Sequence, residues 1–429
     1  GINGSLLAGW LLSIGQKQAA KEVLEALDCQ EALPMLWRAS LSDDANKRQR
    51  LIAEAERCHP QKVRFPNTLD EVQMLQTLSD SAFACYLLGC FWYSKRRYEE
   101  AVSCWRETLA KSPDYAPAHR LLGVYAWNKQ QDAAQALAYL QRAVELEPEN
   151  VRFLFELDFL QKSLGTPVNE RLEKLAARKA VVLKRDDLTA ELLSLWNASG
   201  HYADAAAILG TRVFHPWEGG EGKITGQYLL NQLHRALQFI EREAFTQAAD
   251  CLKDALRYPD NLGEGRLPGQ TDNDIWYLLG YCAEQAGDAQ QAEEYYQLAL
   301  QGGSTLDAGR YYNDQPADYL FWQGIALRKS GNPEQAEQHF QNFITWAGLH
   351  RDDVPQADFF AVSLPDLVVL DVSAQQQHQQ HCLFIEALGH LGLGNVSASQ
   401  QAMQRLLQLN PAHDKAHLIR HVLQSGIFS

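Results

Sequence analysis

The feature that most restricts how this chain can fold is a pair of near-copies at residues 82–148. In the first, Leu88-Gly89, Trp92, Ala101, Trp105 and Pro113 follow one another at intervals of 1, 3, 9, 4 and 8 residues. In the second, Leu122-Gly123, Ala126, Ala136, Leu140 and Pro148 repeat those intervals with one extra residue in the turn. Two helices cross closely only where a side chain is nearly absent. Gly89 with Ala101, and Gly123 with Ala136, therefore mark where the first helix of each hairpin meets the second. Pro113 and Pro148 stop the second helix, because proline lacks the N–H donor and collides with the preceding turn. One hairpin cannot bury its apolar stripe alone, so the hairpins must stack.

A period near 34 residues built this way resembles the tetratricopeptide repeat. The resemblance implies an all-α fold: a right-handed α-solenoid of stacked antiparallel helix hairpins, a superhelix with a concave groove. The spacing recurs, with Trp196, Gly200, Ala205 and Leu209 in one hairpin and Gly280, Ala292, Tyr296 and Ala299 in another. Gly324, Ala336 and Phe340 follow, and Gly394, Ser399, Met403 and Leu406 mark the last hairpin, beyond which a helix from His413 is expected to cap the array. A degenerate hairpin covers 151–185, with Gly165 and Pro167 at its turn, and Thr68-x-x-Glu71 fits a capping box for a helix from Leu69. The expected arrangement is an array over 1–212 and a second over 213–429, the latter interrupted by insertions at 214–224, 258–272, 302–316 and 348–376.

Composition narrows the function. The formal net charge of -14 argues against nucleic acid, which needs a basic stripe, and disfavours an anionic membrane surface. The apolar run from Leu6 to Ile14 is too short to span a bilayer and lacks a basic flank. Eight cysteines are scattered without a CxxC pair and read as free buried thiols of a reducing compartment, so the chain is expected to be cytoplasmic. Gly15, Ala20 and Leu24 already occupy repeat positions, and the chain reads as the C-terminal part of something larger, with Gly1 a cloning scar.

In a solenoid, function is grafted onto insertions, because the rest is committed to packing. Two insertions share a Gly-Glu-Gly core, Gly220-Glu221-Gly222 and Gly263-Glu264-Gly265. Flanking glycines let the backbone approach a ligand closely while presenting one carboxylate. Trp217 would stack, Glu218, Glu221 and Glu264 would accept hydrogen bonds, and Arg266 stands beside them. The same glycines equally serve φ > 0 turns. A third segment, Tyr311-Tyr312-Asn313-Asp314, pairs two rings with an amide and an acid, which suits a polyhydroxylated ligand. It reads equally as inter-repeat packing followed by a helix start. A fourth, Asp358 to Leu367, is an apolar run without helical period.

His378 and His381 stand at i, i+3, and His413, His417 and His421 at i, i+4, i+8. Such spacing can present imidazoles to a metal. Without a carboxylate or thiolate at matching spacing, a solvated or interface face is the better reading, and no metal or cofactor is expected. No phosphate-binding loop, nucleophile elbow, HExxH or dinucleotide fingerprint occurs, which argues against a self-contained active site.

A narrower resemblance covers the chain from about residue 150 onward. Its carriers are Arg185-Asp-Asp-Leu188, Phe214-His-Pro-Trp-Glu-Gly-Gly-Glu-Gly222, Asn261-Leu-Gly-Glu-Gly265, Tyr311-Tyr-Asn-Asp314, Phe360-Ala-Val-Ser-Leu-Pro-Asp366 and His381-Cys382. Together they look like the C-terminal half of large bacterial proteins of the YphG type. That resemblance implies an N-terminal β-rich domain similar to galactose mutarotase. Two functions are then expected to compete. One is a non-catalytic scaffold that grips its own N-terminal domain or another protein. The other is a module that completes a carbohydrate-binding or glycosidase-like site at a shared interface, with Glu218, Glu221 or Glu264 supplying a carboxylate.

Overall fold

The computed structural model describes residues 2–27, 31–58, 63–307, 315–355 and 369–428. Among them every regular element is helical and no strand occurs, so the all-α expectation holds. Contacts divide the chain into two compact units, Gly1–Phe153 and Leu154–Ser429.

In the first unit, α1 (Ile2–Ser13) pairs with α2 (Lys17–Ala26) and α3 (Ala32–Ser40) with α4 (Ala45–Glu56). The single helix α5 (Leu69–Gln76) precedes the pairs α6 (Ala82–Ser94) with α7 (Tyr98–Lys111) and α8 (Ala116–Tyr125) with α9 (Ala133–Leu146). The capping box forms: Thr68 Oγ1 accepts from the Glu71 N–H, and Glu71 accepts from the Thr68 N–H at 3.1 Å. Small residues sit where the spacing puts them. A Cβ on Gly89 would come within 2.3 Å of Trp105 Nε1 and 3.0 Å of the Ala101 carbonyl, and one on Gly123 within 2.9 Å of Leu140 Cγ. The extra residue of the second copy is absorbed in a π-helical segment, Ala126–Gln130, closed by Gln131 in the left-handed region. Such widened turns are short interruptions of α-helices.

The second unit takes in most of α10 (Val151–Ser163), then α11 (Val168–Ala176), α12 (Lys179–Val182), and α13 (Asp186–Ala198) paired with α14 (Tyr202–Thr211). Four further pairs follow: α15 (Lys223–Ile240) with α16 (Phe245–Ala255), α17 (Asn273–Gln285) with α18 (Ala289–Leu298), α19 (Ala317–Lys329) with α20 (Pro333–His350), and α21 (Ala374–Gly392) with α22 (Val396–Leu409). The chain ends in α23 (Asp414–Gln424).

Gly280 and Gly324 make the expected close approaches, to Tyr296 and Phe340. In the hairpin of α13 and α14 and in the last hairpin the structure differs from the sequence reading, and Gly200 is a turn residue at φ +84 with nothing within 4 Å of a Cβ built on it. Gly394 is a turn residue at φ +78 with nothing near its Cα, whereas Gly389 and Gly392 make the close contacts, against Phe340 and Phe343 of α20. The degenerate segment at 151–185 holds paired charges in its interior beside apolar side chains such as Leu160 and Leu175. Arg171 on α11 donates from Nε to Asp158 at 3.0 Å and from Nη2 to Asp158 at 2.7 Å and Glu191 at 3.0 Å. Lys162 on α10 reaches Glu191 at 2.8 Å. Burial pushes the Glu191 carboxyl up, but Lys162 and Arg171 outweigh it and hold it at about 2. Finally, α23 does more than cap the last hairpin, because it lies against α13 and α15.

Candidate functional site

An extended assembly of polar side chains in the second unit forms the seat of α23. It is built from the first helices of successive hairpins. Ser194 on α13 donates to Asp414 Oδ1 at 2.6 Å, and Gln227 on α15 donates to Asp414 Oδ2 at 2.7 Å. Asn197 donates to Gln227 Oε1 at 2.9 Å and accepts from Asn231 at 2.9 Å, which fixes the amides that face α23. Lys415 Nζ lies 2.6 Å from Asp318 Oδ2 on α19 and 5.6 Å from the centroid of the Tyr319 ring. Burial works against the Lys415 charge, yet Asp318 and Asp274 outweigh it and raise its pKa. Asp274 on α17, fully buried, is pushed up to about 6 by burial despite Lys415.

At the other end of α23, His421 Nδ1 lies 2.8 Å from His234 Nδ1 and 3.3 Å from the Tyr202 hydroxyl, and His421 Nε2 faces Glu241 at 3.2 Å. The three rings stack, with centroids 4.7 Å (Tyr202 to His234) and 5.1 Å (His234 to His421) apart. Burial, then the neighbouring His421, His417 and Lys415, depress His234 to about 3. Leu418, Ile419 and Val422 fill the space between these polar ends and join the apolar core of the unit. Of the histidines at 413, 417 and 421, His421 thus forms an interior contact between helices.

The spacing reading left out Ser194, Gln227, Asn231, His234, Asp274 and Asp318. A signal was present: polar residues recur at i, i+4, i+7 (Gln227, Asn231, His234), placing them on one face of the helix.

The two Gly-Glu-Gly loops meet. Glu264 accepts from the Gly222 N–H with both oxygens, at 3.0 and 3.2 Å, and so caps α15, whose N-cap residue Gly222 is left-handed at φ 73. The Phe214 N–H donates to the Asn261 carbonyl at 2.8 Å, and the Asn261 amide donates to the Leu209 and Arg212 carbonyls at the end of α14. Gly220 lies so close to Trp217 that a Cβ there would fall 1.9 Å from the indole. Trp217 stays partly exposed, and Glu218 and Glu221 face solvent. Arg266 pairs with Asp272 and donates to the Gln270 carbonyl at 3.1 Å. Tyr311, Tyr312, Asn313 and Asp314 lie outside the described residues, as does the run from Asp358 to Leu367.

In the first unit a cleft of about 520 Å³ opens beside α6 and α8, lined by Tyr86, Cys90, Tyr93 and Trp105, with Arg64 and Arg120 among its walls. Burial pushes the Cys90 thiol up to about 12.

His378 and His381 point Nε2 at the His350 and Asp307 carbonyls, at 2.6 and 2.9 Å. Among the described residues no group of three or more His, Cys, Asp or Glu could hold a metal ion, and no helix is long and apolar enough to cross a membrane. The seven described cysteines are all free.

Helical hairpins whose first helices present a polar face define a helical-repeat scaffold. Tetratricopeptide repeats are found in part of the chain: one tetratricopeptide repeat model matches residues 93–151 and 234–309, and a second matches 318–345. Similar solved structures include MamA, at 13% identity over 45% of this chain and 95% of that one, with a TM-score of 0.23. Another is Naa15/Naa10 bound to HypK-THB, at 15% identity over 79% of this chain and 48% of that one, with a TM-score of 0.36. The tetratricopeptide domain of P58(IPK) matches at 11% identity over 94% of this chain and 98% of that one, with a TM-score of 0.24.

Proposed function

We propose that this chain is a non-catalytic scaffold that binds an amphipathic helix of a protein partner on the first-helix face of its second unit. The observation that supports this reading is the seat of α23. A helix already occupies that face, held by an acid at Ser194 and Gln227, a base at Asp318 and an apolar middle at Leu418, Ile419 and Val422. This is helix-in-groove recognition, in which anchors at i, i+4 and i+8 set the register. The partner segment is carried either by an N-terminal domain of the same polypeptide, as the YphG-type resemblance implies, or by another protein. Trp217, Glu218 and Glu221, on the joint between α14 and α15, belong to the proposed contact surface.

The test is a titration of the full chain carrying D414A and K415A, whose own helix is loosened, with a labelled peptide of residues 411–429. Saturable binding is expected, competed by the unlabelled peptide and lost when the peptide carries the same two substitutions. Binding indifferent to those substitutions would refute the seat as a recognition face.

A further inference from the structure

The helix that fills this face carries three imidazoles in succession, two bracing its own first turn and the third meeting His234 of α15. His413 Nδ1 accepts the Ala416 N–H at 3.2 Å and is the N-cap of α23. Only a neutral ring can do this. Protonation turns the acceptor into a donor and places a cation at the helix N-terminus, where the helix dipole opposes it. One turn on, His417 Nε2 donates to the Pro411 carbonyl at 2.7 Å. A further turn on, the His421 and His234 Nδ1 atoms face each other at 2.8 Å, and that line has room for one proton.

We propose that α23 is an acid-released gate: proton uptake by His413, His421 and His234 detaches it from α13 and α15 and bares the face beneath. That the bared face then takes a partner helix rests on the docking reading above, whereas the release does not.

Every charged neighbour bears on the sign. His234 is faced by His421, His417 and Lys415 of α23, and Tyr202 of α14 closes the stack. Glu241, just past α15, favours the His421 cation, but burial outweighs it and lowers the His421 pKa. His413 is held down to about 4 by burial and His417, against Asp318 of α19, with His381 of α21 adding to the depression. A base whose pKa is depressed when seated takes up a proton on release, so its stabilisation is full above the free value near 6.5 and declines as pH falls below it. Asp274 and Asp414 act the other way, because burial raises both and they gain protons while α23 is seated.

For His234 at about 3 and His413 at about 4, going from pH 7 to 5 multiplies the opening constant about 20-fold each, and Asp274 at about 6 takes back about tenfold. The net is on the order of 50-fold before His417 and His421, which add to it, and Asp414, which subtracts from it, are counted.

The experiment is hydrogen exchange of residues 414–424 in the full chain at pH 7 and pH 5, corrected for intrinsic rates. Protection of α23 is expected to fall on the order of 50-fold while α16 and α22 keep theirs. His413→Ser, which caps without titrating, should lose about 20-fold of that response. Protection of α23 that does not change with pH would overturn the gate, as would loss of α13 and α15 together with it or a wild-type response in His413→Ser. If that variant fails to fold, the wild-type pH profile decides alone.

Discussion

An alanine at Gly280 adds one methyl group and, on helix propensity alone, would stabilise α17 by about 1 kcal/mol. The packing reverses the sign. The new Cβ would lie 2.6 Å from Cδ1 and Cε1 of Tyr296. That ring is 4% exposed and cannot swing away: its hydroxyl donates to Glu284 Oε2 at 2.6 Å, and Tyr277 stands 5.3 Å from it between centroids. Overpacking of this kind costs about 1–3 kcal/mol, so the net expectation for Gly280→Ala is a loss of about 1 kcal/mol after the propensity gain is subtracted. Gly210 in α14 is the control in the same unit, since no atom lies within 4 Å of a Cβ built there. Gly210→Ala is expected to gain about 0.4–1 kcal/mol. In a domain of this size each kcal/mol moves the Tm by about 2–4 °C. Stacked hairpins open locally, so urea and thermal unfolding by circular dichroism should be paired with hydrogen exchange of α17 and α18. Gly280→Ala as stable as Gly210→Ala would refute the claim that small residues set the helix crossing.

Glu264→Gln removes the charge that caps α15 and is expected to cost about 0.3–1 kcal/mol, read as faster exchange at the first turn of α15, whereas Glu221→Gln should leave that turn unchanged. Arg171→Leu strands Asp158 in the interior and is expected to cost about 3–5 kcal/mol in urea unfolding, with a smaller loss when Asp158 is made apolar as well. Asp274 is an acid whose pKa is raised in the fold, so it favours folding while protonated and penalises it as pH rises from about 4 through about 6. Asp274→Asn should therefore raise the Tm at pH 8 and bring no gain at pH 4.

What could be read from the sequence was what depends on neighbours along the chain. Gly89 with Ala101, Gly123 with Ala136, and the Thr68–Glu71 box are fixed by spacings within one hairpin, and all are found where those spacings put them. The role of the Gly-Glu-Gly loops could not be read this way. Choosing between ligand and turn depends on Glu264 meeting Gly222 from the next joint, a contact invisible to periodicity. Gly394 misled because both a turn and a close approach favour glycine, and only the position of Phe340 assigns the close approach to Gly389 and Gly392. The seat of α23 joins Ser194 and Gln227 to Asp414 across more than half the unit's length, so spacing along the chain did not single them out.

The polar character of that seat has an energetic consequence. Desolvating Lys415 and Asp318 costs nearly what their attraction returns, and burial works against the Asp414 carboxylate that Ser194 and Gln227 hold, so Asp414 and Lys415 add little net hold on α23. They penalise misplacement heavily. A slip of one turn would leave both charges facing apolar neighbours, at about 1–3 kcal/mol for each polar group left unpaired. An apolar seat of the same area would gain about 25 cal/mol per Å² in many registers and would stay shut. Strict register with modest net strength is the combination a releasable helix needs, and it places the control of opening with the histidines at 413, 421 and 234, whose contacts depend on their staying neutral.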